Sequence, residues 1–337
     1  MTDLPAQPAE SIPAGPAAPA AAAVPARRPQ PMWVRLITWS ITAIVLAFVG
    51  YALVKQLRQV RWSEVHFHSI PATAAVACIF GVSAMQLIAR WTLLIAYGYP
   101  LTWRVQLPAA WVPQLGKYVP GGIASVGGAV YLLRKQGVPA AVGLSVAVLL
   151  DALAVMAGLI VSTPLLLWEP VRAKLPMAWL ACIVMIVAGV ILLHPRVFVG
   201  LLNWTLKKLR RNPIAQAPPL ARYLWPVLAS FGQWLFAGFG LWFMTLAVTD
   251  VEARLIPLFI ASAALAMTVS YLMPFTPGGL GIREGLYLLT LGPTVGPAAA
   301  IVVVAMRVVQ TLIEVLLAGV GALLLRRDAR SNAVELT

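Results

Sequence analysis

The sequence contains few charged side chains, and far fewer acidic than basic ones. Only 11% of its 337 residues are charged, with 25 Lys and Arg against 11 Asp and Glu, whereas a soluble domain carries about 25% charged residues. Hydrophobic residues make up 61% of the chain, and the mean hydropathy is +0.86. Because so little polar surface cannot solvate the chain, this composition excludes a soluble globular protein.

Cysteine and histidine are also scarce, with two and three residues respectively. Cys78 and Cys182 each lie inside an apolar run, so we expect neither a disulfide framework nor a metal site. The sequence contains no recognisable nucleophile set and no nucleotide-binding motif. We therefore expect a protein that is not an enzyme and that uses no cofactor.

The net charge of +14 would indicate nucleic acid binding in a soluble protein. Here the basic residues mostly lie between apolar spans, where they set topology and contact anionic headgroups, so no nucleic acid partner is expected. The segment 195–222 is basic without any acid and is predicted to be cytoplasmic. Its first half resembles an interfacial helix. The amino terminus is predicted on the same side if the Pro/Gly-broken stretch 105–135 re-enters the membrane without crossing it. These features predict a multi-pass protein of the inner membrane.

Apolar runs of the length needed to cross a bilayer, about 20 residues, recur along the chain. The first follows Arg35 and ends at Val54, and six more are predicted at 72–97, 139–168, 178–194, 224–248, 254–275 and 297–325. Because lipid cannot satisfy free backbone groups, helices are expected. The predicted fold is an all-α integral membrane protein with about seven transmembrane helices, in a domain 32–326 between a disordered Pro/Ala-rich tail 1–31 and a C-terminal tail 327–337.

Two further apolar stretches, 105–135 and 276–295, are broken by Pro and Gly. Gly pairs let a backbone turn sharply or approach a ligand, and Pro leaves a carbonyl without its helical partner. Such breaks are tolerated at membrane depth only where protein or a wet cavity covers them. Each stretch is therefore predicted to be a re-entrant or a discontinuous helix that faces a cavity.

The two broken stretches share a motif. Each contains Pro-Gly-Gly followed by Tyr-Leu-Leu and then a long apolar run, in which an intramembrane charge lies twenty residues beyond the Tyr: Asp151 after the first motif and Arg307 after the second. We interpret this pattern as an internal repeat, with pseudo-repeats centred on 105–168 and 276–325. Transporters place such breaks in corresponding positions of two halves, with half-helix N-termini directed at anionic groups.

The stretches GKYVPGG, YLLRKQG and PGGLGIREG resemble the transmembrane region of the lysylphosphatidylglycerol synthetase and flippase family, over roughly residues 33–325. In that family the membrane region is linked to lipid translocation between leaflets. The resemblance implies that the positions matching the family motifs bind substrate: Lys117, Pro120, Gly121, Gly122, Arg134, Pro277, Gly278, Gly279, Arg283 and Glu284. To this predicted substrate-binding set we add Arg307.

The sequence departs from the family pattern in two respects. Asp151 is followed by Ala152, where the family commonly has an acidic residue followed by Arg. Bifunctional members also carry a soluble aminoacyl-transfer domain after the membrane region, whereas this sequence ends at Thr337. Lysyl transfer to lipid is therefore not expected of this chain.

A polar stripe crosses the last predicted span. Arg307, Gln310 and Glu314 lie on one helical face, and with Asp151 they form the predicted charge network. An ionisable residue at the centre of a span costs about 2.5 to 3.5 kcal/mol on insertion scales, so these groups should face the protein interior. They could contact a headgroup or relay protons, or they could pair with other helices and only hold the bundle together.

The charges in two other spans lead to further predictions. Asp151 has no cation nearby in the sequence, so its partner should come from another helix, and repeat symmetry favours Arg283 or Arg307. Arg90 lies near the end of its span and is expected to extend to the membrane interface.

These patterns lead to one hypothesis and one alternative. The protein is expected to be flippase-like, binding and translocating an anionic phospholipid or a polyprenyl-linked lipid between its two pseudo-repeats. Alternatively, it is a non-transporting membrane partner or scaffold of a lipid-modifying enzyme, with the basic segment 195–222 as its docking surface.

Overall fold

The computed structural model describes residues 58, 67–118, 123–169, 177–208, 219–273 and 277–334, and these contain helices and no strand. The predicted all-α fold is thus confirmed. The predicted tail 1–31 and the predicted first span, up to Val54, lie outside the described residues. The α-helices are α1 Ser69–Ala96, α2 Trp103–Trp111, α3 Ile123–Lys135, α4 Ala140–Ser162, α5 Pro164–Leu167, α6 Ala178–Leu193, α7 Pro195–Lys208, α8 Leu220–Leu246, α9 Ile256–Leu272, α10 Ile282–Val295 and α11 Ala298–Val334.

Five stretches of helix are long and apolar enough to cross a membrane: Ser69–Ala96, Ala140–Ser162, Leu220–Leu246, Ala253–Leu272 and Ala298–Arg327. They coincide with five of the predicted spans. The predicted span 178–194 corresponds to α6, whose 16 residues extend about 24 Å at 1.5 Å per residue. That length is less than the hydrocarbon thickness of about 30 Å.

The core is formed by α8 and α9, which pack between α1, α4 and α11. The largest cluster of buried side chains draws on α1, α8, α9, α10 and α11, and includes Leu241, Phe259, Tyr287 and Val303. The Trp234 indole Nε1 donates to the carbonyl of Ala154 at 3.0 Å and so joins α8 to α4. Lipid-exposed surfaces give little drive for helix association, so close packing of this kind holds the bundle together.

Small residues allow the closest helix approach in this core. A Cβ atom on Gly238 of α8 would collide with the backbone of Ile260 on α9, whereas a Cβ on Gly319 of α11 would meet nothing within 4 Å. Gly238→Ala should therefore destabilise the protein by about 1–3 kcal/mol through overpacking. Gly319→Ala is the control, because it adds no contact and should be neutral or stabilising by about 0.5–1 kcal/mol.

Thermal unfolding of the two variants in the same detergent tests this packing. A lower Tm for Gly238→Ala and an unchanged or higher Tm for Gly319→Ala are expected. Equal melting temperatures for the two variants would contradict the close contact between α8 and α9.

The first broken stretch doubles back on itself. Helix α2 continues as the 3-10 helix Val112–Tyr118, and α3 then begins at Ile123 and packs against it. A Cβ on Gly116 would lie 2.6 Å from the Ser125 backbone nitrogen, and a Cβ on Gly128 would lie 3.3 Å from Pro113. These pairings run antiparallel, so the 3-10 helix Val112–Tyr118 and α3 form a hairpin.

The second broken stretch contains a run of glycines in unusual conformations. Gly278, Gly279 and Gly281 have φ values of +57°, +68° and +88°, a region that side chains rarely allow and glycine adopts readily. The short 3-10 helix Pro277–Gly279 ends there, and α10 begins at Ile282. The helical path is thus interrupted between Pro277 and Ile282.

The two broken stretches remain similar beyond their breaks. Helices α3 and α10 have 13 and 14 residues, about 20 Å each. Each is followed by a glycine with positive φ, Gly137 at +81° or Gly296 at +65°, then by a proline and a long apolar helix, α4 or α11. The likeness therefore includes helix length and connection as well as the Pro-Gly-Gly motif.

Candidate functional site

The two broken stretches meet inside the bundle. The 3-10 helix Val112–Tyr118 contacts the 3-10 helix Pro277–Gly279. The Tyr118 ring packs on Gly278 so closely that a Cβ there would lie 2.9 Å from Cε1 of the ring. Pro120, Gly121 and Gly122, which were predicted to bind substrate, lie outside the described residues. Tyr118, the last described residue before them, is in direct contact with the second motif.

Glu314 of α11 is the centre of a group of hydrogen bonds. Its Oε1 accepts from Lys117 Nζ at 2.6 Å and from Gln310 Nε2 at 3.1 Å, while its Oε2 accepts from Tyr118 Oη at 2.8 Å. Lys117 and Tyr118 belong to the first pseudo-repeat and Glu314 to the second. The predicted inward orientation of Gln310 and Glu314 agrees with this arrangement, and the bonds join the two pseudo-repeats.

Arg307 holds the second break in place. Its Nη2 donates to the Gly278 carbonyl at 3.2 Å, its Nε lies 3.6 Å from Glu284 Oε1, and its guanidinium lies 5.8 Å from the centre of the Tyr118 ring. Glu284 Oε2 in turn accepts from the backbone nitrogen of Gly281 at 2.6 Å. Such a carboxylate at the third helical position caps the start of α10. Glu284 therefore stabilises the break, and it does not line the cavity described below.

Arg283 differs from the other cations of this group. Its side chain is 6% exposed, and Nη1 donates to the neutral Gln310 Oε1 at 2.8 Å. Its Nε has no hydrogen-bond partner, and no carboxylate in the described part of the chain lies within 4.0 Å of it. Lys117 is paired with Glu314, and Arg307 lies beside Glu284, so Arg283 leaves one positive charge uncompensated.

A cavity of about 250 Å³ lies beside these groups, and we call it the central cavity. Helices α1, α3, α4, α8, α9 and α10, the 3-10 helix Val112–Tyr118 and the break at Gly278 and Gly279 contribute to its wall. Its polar wall includes the backbone of Gly278 and Gly279 and the side chains of Gln86, Arg90, Gln114, Lys117, Asp151, Gln233, Ser270, Tyr271 and Arg283. The broken backbone, three cations and a carboxylate thus share one space, and the break motifs predicted such a cavity.

Asp151 and Arg90 do not follow the sequence predictions. The prediction that Asp151 pairs with Arg283 or Arg307 is wrong: the cation that interacts with it electrostatically is Arg90. The expected extension of Arg90 to the membrane interface is also wrong, because Arg90 lines the central cavity and its Nη1 donates to the Ala109 carbonyl at 3.3 Å. The partner of Asp151 was predicted from symmetry between the repeats, and the orientation of Arg90 from its position near the end of a span. Neither signal gave the contact that the structure shows.

Two other residues, Arg134 and Tyr118, differ from the sequence predictions for the site. Arg134 lies exposed near the end of α3 and does not line the central cavity, so the structure does not bring it to the other predicted site residues. Tyr118, which the sequence did not single out, contacts Gly278 and bonds Glu314. Its position directly after Lys117 in GKYVPGG was the available signal, but an aromatic residue beside a motif is common in apolar sequences.

Comparison with known proteins gives a single assignment. The family model described as lysylphosphatidylglycerol synthase TM region matches residues 32–319. The matched range includes the central cavity and both broken stretches. No curated protein matches the sequence.

Proposed function

The chain belongs to the family of the lysylphosphatidylglycerol synthase TM region, and from that premise we propose that it binds an anionic lipid headgroup in the central cavity and moves the lipid between leaflets. Family membership and the apolar helices make it a multi-pass membrane protein involved in lipid handling. The substrate in this proposal is an anionic phospholipid or a polyprenyl-linked lipid, and the membrane is the inner membrane.

The observation that carries the proposal is the uncompensated charge of Arg283. A buried cation without an acidic partner is costly, and a guanidinium offers donors in the geometry that phosphate accepts. Arg283 is also the second residue of α10, where free backbone N–H groups and the helix dipole favour an anion. A phosphate in the cavity would therefore supply the partner that the described residues do not provide.

The size and setting of the central cavity fit a headgroup better than a whole lipid. A volume of about 250 Å³ is smaller than the ~300–1,000 Å³ of pockets that enclose drug-sized ligands. The acyl or polyprenyl chains would therefore remain in the surrounding bilayer while the headgroup passes through polar surroundings. The paired charges of Lys117 and Glu314 would line that path.

We also propose how the lipid movement is driven and which partner the protein has. Because the sequence contains no nucleotide-binding motif, movement would be passive or coupled to an ion, and the role would be non-enzymatic. A lipid-modifying enzyme that supplies or consumes the lipid remains a proposed partner. In the alternative function, the protein only holds such an enzyme at the membrane.

Lipid movement in reconstituted vesicles tests the proposal. Arg283→Gln removes the charge at similar volume and should slow movement of fluorescent phosphatidylglycerol by about 10- to 100-fold, the equivalent of a charged hydrogen bond of about 1.5–3 kcal/mol. Arg134→Gln is the matched control, because it removes an exposed arginine away from the cavity and should leave the rate unchanged. Chemical reduction of the outer-leaflet label reports the rate.

The two functions give different results in this assay. Rates that are equal for the unmodified protein, for Arg283→Gln and for protein-free vesicles would contradict translocation and favour the scaffold. An equal loss of rate in the Arg134→Gln control would contradict the assignment of the site to Arg283.

A further inference from the structure

Glu314 borders a second, smaller space, which we call the side pocket. Its volume of about 40 Å³ is enough to admit water, since one molecule needs about 10–15 Å³. Glu314 lines the side pocket and not the central cavity, whereas Lys117, Gln86 and Gln114 line both. The two spaces therefore share a polar wall, and Lys117 is the cation common to them.

The ammonium of Lys117 has one acidic partner and two cationic neighbours. Its Nζ lies 2.6 Å from Glu314 Oε1, and no other carboxylate in the described ranges lies within 4.0 Å of it. Arg283 and Arg307 repel it electrostatically. An anion in the central cavity would therefore compete with Glu314 for this lysine.

The groups that act electrostatically on Glu314 belong to elements on several sides of it. They are Lys117 and Tyr118 of the 3-10 helix Val112–Tyr118, Tyr271 of α9 and Arg283 of α10. Arg307, on α11 itself, acts on Lys117 and Tyr118. Helices α1 and α2 border the side pocket with the uncharged Gln86 and Trp111. The charge of Glu314 is thus balanced by cations, of which Lys117 is in direct contact.

The hydrogen bonds of Glu314 suit its protonated form as well as its ionised form. In the ionised form Oε2 accepts from Tyr118 Oη at 2.8 Å, and that hydroxyl also lies 3.4 Å from Thr311 Oγ1. A proton on Oε2 would reverse this bond, so that the carboxyl donates to Tyr118 Oη and the phenol hydrogen turns to Thr311 Oγ1. Gln310 Nε2 would continue to donate to Oε1. Each carboxyl oxygen therefore keeps a partner when Glu314 is neutral.

We propose that Glu314 is a proton-binding site through which lipid movement is coupled to protons. The proposal rests on the proposed function, because the phosphate bound at Arg283 is the anion that draws the Lys117 ammonium into the central cavity. Glu314 then has lost its cation and gained a like charge nearby, and both changes favour the neutral carboxyl. It takes up a proton from water through the side pocket, and an O–H bond forms at Oε2 without electron transfer. A phosphodiester and a proton together add no net charge to the site.

Proton uptake on lipid binding tests this inference in the purified full-length protein in detergent. The probe is short-chain phosphatidylglycerol, whose phosphodiester stays ionised near neutral pH. Titration calorimetry in buffers of different ionisation enthalpy, repeated across a pH series, gives the number of protons bound per lipid. The maximum should be about one proton, and lipid affinity should rise by up to about tenfold per unit fall in pH where Glu314 is ionised without lipid and neutral with it.

Three variants locate the proton. Glu314→Gln resembles the neutral carboxyl in size and hydrogen bonding, so uptake should fall close to zero and lipid affinity should no longer depend on pH. Lys117→Gln removes the cation whose departure triggers uptake, which should fall by about half or more. Asp151→Asn removes the acid on the wall of the central cavity and should leave uptake unchanged. Melting temperatures identify an unfolded variant, and Lys117→Gln takes the place of Glu314→Gln if the latter does not fold.

The outcomes separate this inference from the function on which it rests. Lipid binding that Arg283→Gln weakens, but that takes up no proton in the unmodified protein, would overturn the proton site and leave the lipid site standing. Uptake that persists in Glu314→Gln and disappears in Asp151→Asn would also overturn it, because the proton would then reside on Asp151. If the unmodified protein does not bind phosphatidylglycerol, the proposed function is refuted and this inference fails with it.

Discussion

Replacing Glu314 by alanine should lower the free energy of unfolding by about 3–5 kcal/mol, the range measured when one partner of a buried ion pair is removed. Glu314 is 11% exposed at its side chain and Lys117 is 25% exposed. The substitution would leave the Lys117 ammonium without an acid and would remove the acceptor of Tyr118 and Gln310. Thermal unfolding of the purified protein, followed by tryptophan fluorescence, measures the loss.

A double substitution provides the control for this prediction. Lys117→Met combined with Glu314→Leu removes both charges, and apolar replacement of a whole buried pair is often neutral. The double variant should therefore recover most of the stability lost in Glu314→Ala. If it is as unstable as the single variant, the loss comes from packing around Glu314 and the ion pair contributes little.

Gly278→Ala should be the second large effect, with a destabilisation of about 2–5 kcal/mol. Its φ of +57° costs an L-residue about 1–2 kcal/mol. The added Cβ would also lie 2.9 Å from the Tyr118 ring and 3.3 Å from Arg307 Nη2, and overpacking of that kind costs about 1–3 kcal/mol. Because the contact joins the two breaks, lipid movement in vesicles should fall along with Tm.

Gly137→Ala is the matched control for Gly278→Ala. Gly137 has a φ of +81° and the closing hydrogen bonds of a left-handed glycine at a helix end, but a Cβ on it would meet nothing within 4 Å. It should therefore show only the conformational cost of about 1–2 kcal/mol and retain lipid movement. Equal losses of stability in the two variants would mean that the contact between Gly278 and Tyr118 contributes nothing beyond backbone strain.

The sequence predicted the helical membrane fold and the positions of the breaks because both depend on local chemistry. An apolar run such as 224–248 indicates a span whatever surrounds it, and Pro277 with Gly278 and Gly279 interrupts a helix in any context. The stripe of Arg307, Gln310 and Glu314 followed from helical periodicity alone. Five predicted spans and both broken stretches therefore agree with the structure.

The partners of the charges could not be obtained in this way. The bond between Lys117 and Glu314 joins residues 197 positions apart, and no local pattern encodes which carboxylate a lysine will meet. For Asp151, symmetry between the repeats favoured Arg283 or Arg307, but the packing of α1 beside α4 brings Arg90 to it instead. Long-range packing, which a single sequence does not reveal, decided both partners.

Glu284 is a case in which the sequence held more information than its first interpretation used. The resemblance of PGGLGIREG to the family motif implied a role in substrate binding. The spacing from Gly281 to Glu284 is also that of a capping box, in which a carboxylate three residues on accepts the N-cap backbone N–H. The hydrogen bond of 2.6 Å between the two residues confirms this local signal.

The distance along the chain between Lys117 and Glu314 has a consequence for biogenesis. At roughly 5–20 residues per second, a ribosome takes about 10–40 s to synthesise the 197 residues that separate them. Throughout that interval the first hairpin has no Glu314 to neutralise its lysine, and an uncompensated lysine enters the hydrocarbon region only at a cost. The hairpin is therefore expected to remain in the translocon or at the membrane surface until α11 has been made. Insertion of the first half of the protein is then completed only when the second half is present.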